Sequence, residues 1–237
     1  MMIPTSWSGI YCGPAPDPAD LWLRWNLDPV LLAALALLAW TLRRSPPGLA
    51  AVAVLTVALV SPLCALSAAL FSARVVHHVL LVAIAAPLLA LAWPARRPGP
   101  AGPAFLLSSA TLWAWHWPAA YDLALSDMGA YWAMQLSILG SALVFWRPVL
   151  HPRTGGQALA PILGAYVQMA LLGALLTFAP GAVYEAHAVA PLAWGLSPLA
   201  DQQLGGLIMW VPAGLPFVAW GAWVACREWH AMAGRPA

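Results

Sequence analysis

Seven stretches of nearly uninterrupted apolar residues, at about 27–42, 49–71, 75–93, 103–119, 131–150, 158–180 and 202–226, occupy most of the chain. A helix needs about 20 apolar residues to cross the hydrocarbon core of a bilayer. A backbone in that core must be satisfied internally, as a helix or a closed barrel. Lipid is therefore expected to be the solvent for most of this chain. The predicted fold is all-α, a polytopic helical bundle of about seven transmembrane helices. Composition agrees: 62% of residues are hydrophobic and only 8% charged, where a soluble domain is nearer a quarter charged.

No linker, repeat or charge run divides the chain. It reads as one integral membrane domain over 1–237, with a short external tail at 1–26 and a short cytoplasmic tail at 227–237. The second and third apolar stretches are separated only by Ser72, Ala73 and Arg74, which predicts a tight helical hairpin there. Met1–Thr5 lacks the basic start of a cleaved signal peptide. Cys12, Cys64 and Cys226 are far apart and form no C-x-x-C, so they read as neither a disulfide framework nor a zinc site.

Arginine sets the expected orientation. With the N-terminus outside, Arg43, Arg44, Arg96, Arg97, Arg147, Arg153, Arg227 and Arg235 face the cytoplasm, and only Arg24 and Arg74 lie outside. Seven of the eight acids then fall outside, Glu228 being the exception. Tryptophans cluster at both predicted boundaries, Trp113, Trp115, Trp117 and Trp132 at the outer one and Trp146, Trp220 and Trp223 at the inner one, as in an aromatic belt. The expected location is a bacterial cytoplasmic membrane. A net charge of +2 with no basic cluster gives no field for nucleic acid.

On this topology His77, His78, His116 and His187 all lie near the outer face. Imidazole suits copper, zinc, iron and nickel, and sulfur ligands shift the preference to cuprous copper. Met209 lies about two turns into the last stretch and Asp201 opens it, so both could complete a shell around His78 and His116. His77 and His78 point about 100° apart on a helix, so one of them at most faces a common site. Each histidine also has a bland reading as a wet interfacial anchor. Gln135 and Gln168 read as interhelical hydrogen-bonding groups, and Gly205-Gly206 as a place of close helix approach. No Gly-x-Ser-x-Gly, H-E-x-x-H, phosphate loop or dinucleotide fingerprint is present, so no enzymatic activity is expected.

Several words of the sequence carry a resemblance. Trp115-His116-Trp117-Pro118-Ala119-Ala120-Tyr121-Asp122-Leu123-Ala124-Leu125 resembles the W-H-x-P-x-x-Y-D-x-A-L stretch of the multi-span CtaG-like cytochrome c oxidase assembly factors. Asp201-Gln202-Gln203-Leu204-Gly205-Gly206 through Met209-Trp210 is similar to their last-helix motif. Phe145–Leu150 and Phe71–Leu81 resemble the end of their fifth and the start of their third helix. The resemblance implies a membrane chaperone of the respiratory chain, with cytochrome c oxidase subunits as partners and copper as transient cargo. His78, His116, Asp122, Asp201, Gln202 and Met209 fall on the family's motif positions. His-Met-x-x-His opens the third helix in that family, whereas this chain has Arg74-Val75-Val76-His77-His78. Two other readings stay open: a b-type haem protein, ligated axially by His78 and His116, and a scaffold that binds no metal.

Overall fold

The computed structural model describes residues 11–97 and 99–233. In chain order the helices are α1 (Pro29–Thr41), α2 (Pro46–Leu59), α3 (Pro62–Ala69), α4 (Phe71–Val79), α5 (Ala86–Ala92), α6 (Ala101–Trp115), α7 (Pro118–Ser126), α8 (Met128–Val149), α9 (Leu159–Thr177), α10 (Pro198–Trp210) and α11 (Gly214–Ala233). Among the described residues there is no strand. Met1–Thr5, the start of the expected external tail and Arg235 lie partly or wholly outside the described residues.

Four helices begin on the same local instruction, a short polar residue followed by proline. Asp28-Pro29, Ser45-Pro46, Ser61-Pro62 and Ser197-Pro198 each place a side-chain oxygen on free backbone N–H groups of the first turn. Proline at the first helical position loses nothing, because its missing N–H would have been unpaired there. The C-terminal end of α2 is closed by Asn26, whose backbone N–H donates to the Val60 carbonyl at 2.9 Å and whose amide donates to Leu59 at 3.0 Å.

Four helical segments are long and apolar enough to cross a membrane: Phe71–Ala92, Met128–Val149, Gly155–Thr177 and Pro198–Ala233. A fifth exists if α2 and α3, bent by 47° at Val60-Ser61, count as one. The expected seven segments all appear as helices, but α1 and α6 are shorter than a full crossing. The last is two helices, α10 and α11, separated by a turn at Val211–Ala213. The helix α11 runs on to Ala233, through most of the stretch expected to be a cytoplasmic tail.

The expected hairpin at Ser72–Arg74 is corrected. The chain breaks one residue before Phe71, at Leu70, whose backbone is extended (φ −120°, ψ 130°), and Ser72, Ala73 and Arg74 lie in the first turn of α4. The reason is long-range: the carboxylate of Asp201 supplies the cap that α4 has no local residue to make.

Between α4 and α5 the helix widens into a π segment, Leu80–Ala85, and then continues, so that 71–92 is one rod. Pro87 explains the irregularity, since it has no N–H to return to the preceding turn. The carbonyls left over are met by other helices. Trp146 Nε1 donates to Val82 at 2.7 Å and Trp220 Nε1 to Ala83 at 2.9 Å. One face of this rod, with Leu81, Ala85 and Leu89, packs on Leu31, Leu35 and Leu55 of α1 and α2. The other, with Ala83, Ala86 and Ala90, faces the larger core built on α7, α8, α9 and α11.

Helices α9 and α10 approach at Gly173 and Gly206. A methyl group added to Gly206 would stand 2.5 Å from the Gly173 carbonyl oxygen, and one on Gly173 2.6 Å from that of Gly206. In lipid, where apolar contact alone brings little, such backbone-to-backbone packing holds helices together. Leu163, Val167, Leu171 and Leu175 recur every four residues and form an exposed apolar stripe on α9. That pattern suits a face turned to hydrocarbon.

Candidate metal centre

The rod formed by α4 and α5 brings His77 and His78 to one end of the bundle, where α6 ends at His116. The ring centroids of His78 and His116 lie 6.4 Å apart and nearly perpendicular. His116 is held by its own helix: Nδ1 sits 2.7 Å from the Leu112 carbonyl. A ring nitrogen that donates to a carbonyl leaves the other, Nε2, with its lone pair available, the arrangement seen in metal-ligating histidines. His78 Nε2 is buried with no hydrogen-bond partner among the described residues.

A cavity of about 20 Å³ lies between these rings. Besides His78 and His116 its walls include Met169 of α9, Met209 of α10 and the π-segment residues Val82 and Ala83. That volume suits one water-sized occupant. Two histidines and two methionines line the cavity, residue types whose donors prefer soft monovalent copper to hard cations.

The other residues singled out from sequence have different places. His77 does not line this cavity; its ring lies 5.6 Å from that of His78 and both its nitrogens are buried without partners. Asp201 is removed from the expected shell. Its Oδ2 accepts from the Phe71 N–H at 2.6 Å and its Oδ1 from the Ser72 N–H at 3.2 Å and from the Ser72 hydroxyl. Gln202 ties down the chain after α9, accepting from Val183 N–H at 2.7 Å and donating to the carbonyls of Leu176 and Gly181. Asp122 accepts from the backbone N–H groups of Glu185 and Ala186. Among the described residues no three His, Cys, Asp or Glu side chains converge on one point.

His187 is placed beside the centre as a wedge. Its Nδ1 is 3.2 Å from the Ala69 carbonyl and its Nε2 2.8 Å from the Tyr121 hydroxyl. One nitrogen donates and the other accepts, which fits the neutral ring. Burial, reinforced by the nearby Arg74 charge, pushes its pKa down to about 3. Tyr184 stacks on Phe71 and donates to the His116 carbonyl at 3.1 Å. The Tyr121-Asp122 pair thus fastens the loop of Tyr184–His187 over the ends of α4 and α6.

Sequence reasoning missed three things. Met169 is adjacent to Gln168, whose Oε1 accepts from Trp113 Nε1 at 2.8 Å; that polar residue in an apolar helix marked the inward face, and Met169 flanks it. Arg74, expected at the outer surface, is 1% exposed. Cys12 and Cys64 form a disulfide, with Cα atoms 5.4 Å apart, contrary to their reading as unrelated cysteines. Their separation of 52 residues hides the pair, and only the folding of the N-terminal segment against α3 brings them together.

No curated protein and no solved structure matches this chain. A family model does, that of the cytochrome c oxidase caa3 assembly factor, over residues 100–231. The match takes in His116, Tyr121-Asp122, Asp201-Gln202, Met169 and Met209, more than half of the chain and most of the structural frame just described. The protein belongs to the cytochrome c oxidase caa3 assembly factor family (Caa3_CtaG).

Proposed function

We propose that this protein assists formation of the copper centre of a haem–copper oxidase, holding Cu(I) between His78 and His116 with Met209 and Met169 as sulfur ligands. The observation that carries the reading is one cavity with two imidazoles and two thioethers and no carboxylate on its wall. Neutral ligands hold a monovalent ion without trapping it by charge, which suits transient custody. His116 is pre-oriented by the Leu112 carbonyl, so little side-chain entropy is lost when its Nε2 takes the metal. Asp122, Asp201, Gln202 and His187 serve by positioning, since each fastens a helix end or a loop around the cavity.

In this reading the chain crosses the cytoplasmic membrane seven times with its N-terminus outside. The support is the eight-to-two distribution of arginines. The shorter helices α1 and α6 would then rely on flanking tryptophans and local thinning of the bilayer. The cavity would then lie toward the outer leaflet. The protein acts as a chaperone with oxidase subunits as its partners, and no chemical step is required of it.

The test is copper retention by the purified protein. Wild type should retain one equivalent of Cu(I) at the cavity, and His78→Ala and His116→Ala should each lose it while still inserting into the membrane. Strains carrying either variant should assemble less active oxidase under copper limitation, with oxidase transcripts unchanged. Equal copper retention by wild type and both variants would reject the site. Reporter fusions after Arg44 and after Asp127 should give cytoplasmic and external signals respectively, and the reverse pattern would reject the orientation.

A further inference from the structure

Among the described residues Arg74 is a buried charge without a countercharge. All eight Asp and Glu side chains lie among the described residues. The ion pairs found there are Arg24–Asp20 and Arg227–Glu228, and neither involves Arg74. Its Nε donates to the Ser67 carbonyl at 3.0 Å, but Nη1 and Nη2 are buried with no hydrogen-bond partner among the described residues. Leaving a buried ion uncompensated is among the costlier arrangements a fold can keep, and a neutral leucine or methionine would fill the same space. The charge therefore calls for an anion.

One ring, Tyr131, links it to the Cys12–Cys64 disulfide. The Arg74 guanidinium carbon lies 5.6 Å from the centroid of the Tyr131 ring. The hydroxyl of the same Tyr131 is 3.2 Å from Cys12 Sγ and 3.9 Å from Cys64 Sγ. Cys64 and Ser67 share one turn of α3, so the turn that carries a sulfur also carries the carbonyl that holds Arg74. His77 stands one turn beyond Arg74 on α4, and Gln135 one turn beyond Tyr131 on α8. Arg74, His77 and Gln135 account for six of the nine buried, unpartnered side-chain atoms among the described residues. Such a concentration in one place marks a site rather than scattered packing faults.

We propose that the Cys12–Cys64 bond is reducible and that its dithiol form binds one soft monovalent cation of the Cu(I) class, with Arg74 as the countercharge. Only the choice of Cu(I) among soft cations rests on the copper reading above; the preference for a soft ion follows from two sulfur ligands. An external dithiol supplies two electrons and two protons. The S–S bond breaks, two S–H bonds form, and the donor leaves as its own disulfide. Entry of Cu⁺ then forms two Cu–S bonds and releases the two thiol protons. The bis-thiolate copper unit carries one negative charge, and the Arg74 guanidinium beside it brings the site to neutrality. In the disulfide form the same place carries an unopposed positive charge. Cys12 lies in irregular chain ahead of Gly13, a residue at φ 84°. Its sulfur can therefore draw back without unwinding a helix.

The experiment compares the two redox forms of the full-length protein in detergent, in a Cys226→Ser background that removes the one exposed free thiol among the described residues. Each form is titrated anaerobically with Cu(I) against a chromophoric chelator, the reduced form after a phosphine reductant has been added and removed. Reduction should raise the copper bound by one equivalent. Cys64→Ala should abolish that increment alone, and Arg74→Gln should weaken it at least tenfold while leaving the copper bound by the oxidised form unchanged. Equal stoichiometry in the two redox forms overturns the proposal, even if the cysteine variants fail to insert, because that comparison needs no cysteine-pair variant. An increment indifferent to Arg74→Gln also overturns it. Copper bound only after reduction would reject the His78–His116 site and leave this one standing. Copper bound equally in both forms, and lost in His78→Ala, would do the reverse.

Discussion

Asp201 caps the helix of Phe71: its carboxylate accepts the Phe71 N–H at 2.6 Å from across 130 residues of sequence. The same carboxylate takes the Ser72 N–H and hydroxyl. It thereby joins the start of α10 to the start of α4, the helix that carries His77 and His78. The acid therefore acts on the proposed metal centre through geometry. Replacing it with alanine strips two backbone donors and a hydroxyl of their acceptor in a buried place.

Asp201→Ala should lower stability by about 2–4 kcal/mol, more than a typical exposed cap. It should also weaken Cu(I) retention, because α4 loses its register. Asp201→Asn keeps one acceptor oxygen and should fall between the two. Thermal unfolding of the detergent-solubilised proteins reads the order. A stable alanine variant with reduced copper retention would instead make Asp201 a ligand.

Gly206→Ala should separate α9 from α10. The new methyl would meet the Gly173 carbonyl oxygen and Thr177 Oγ1, each at 2.5 Å. Overpacking of this kind costs about 1–3 kcal/mol. Met169 and Met209 sit on these two helices, so Cu(I) retention should fall along with the unfolding temperature. Gly140→Ala, with open space around it, is the matched control and should change neither.

His187 makes stability depend on pH. Its native pKa of about 3 lies below its ordinary value of 6.5, so the unfolded chain takes up a proton before the folded one does. Its contribution is complete above about pH 6.5 and is lost as pH falls from there toward 3. The unfolding temperature should therefore drop between pH 7 and pH 4.5, and less steeply in His187→Gln. Parallel curves for the two proteins would show that this ring is not the titrating group.

Met169→Leu distinguishes a ligand from a filler. The two side chains are close in volume, and such swaps in a core usually cost under about 1.5 kcal/mol. The variant should unfold near the wild-type temperature yet hold Cu(I) less tightly, by tenfold or more, and Met209→Leu should do the same. Unchanged copper affinity in both would remove sulfur from the proposed shell.

By itself the sequence determined the solvent and the elements. So few charges over so many apolar residues leave only helices sized for lipid, because transfer of each stretch is a local sum over its own residues. Asp28-Pro29, Ser45-Pro46, Ser61-Pro62 and Ser197-Pro198 are local start signals of their helices that the apolar stretches alone did not reveal. The words Trp115–Leu125 and Asp201–Trp210 pointed to the family that the match over 100–231 then showed. Tertiary structure alone decided the rest. The break at Leu70 depends on a carboxylate 131 residues away. The Cys12–Cys64 bond, the burial of Arg74 and the meeting of His78, His116, Met169 and Met209 depend on how each helix is rotated about its axis. One residue of register turns a side chain by about 100°, and composition is indifferent to that angle. Only the close approach of neighbours, such as Gly173 against Gly206, sets it.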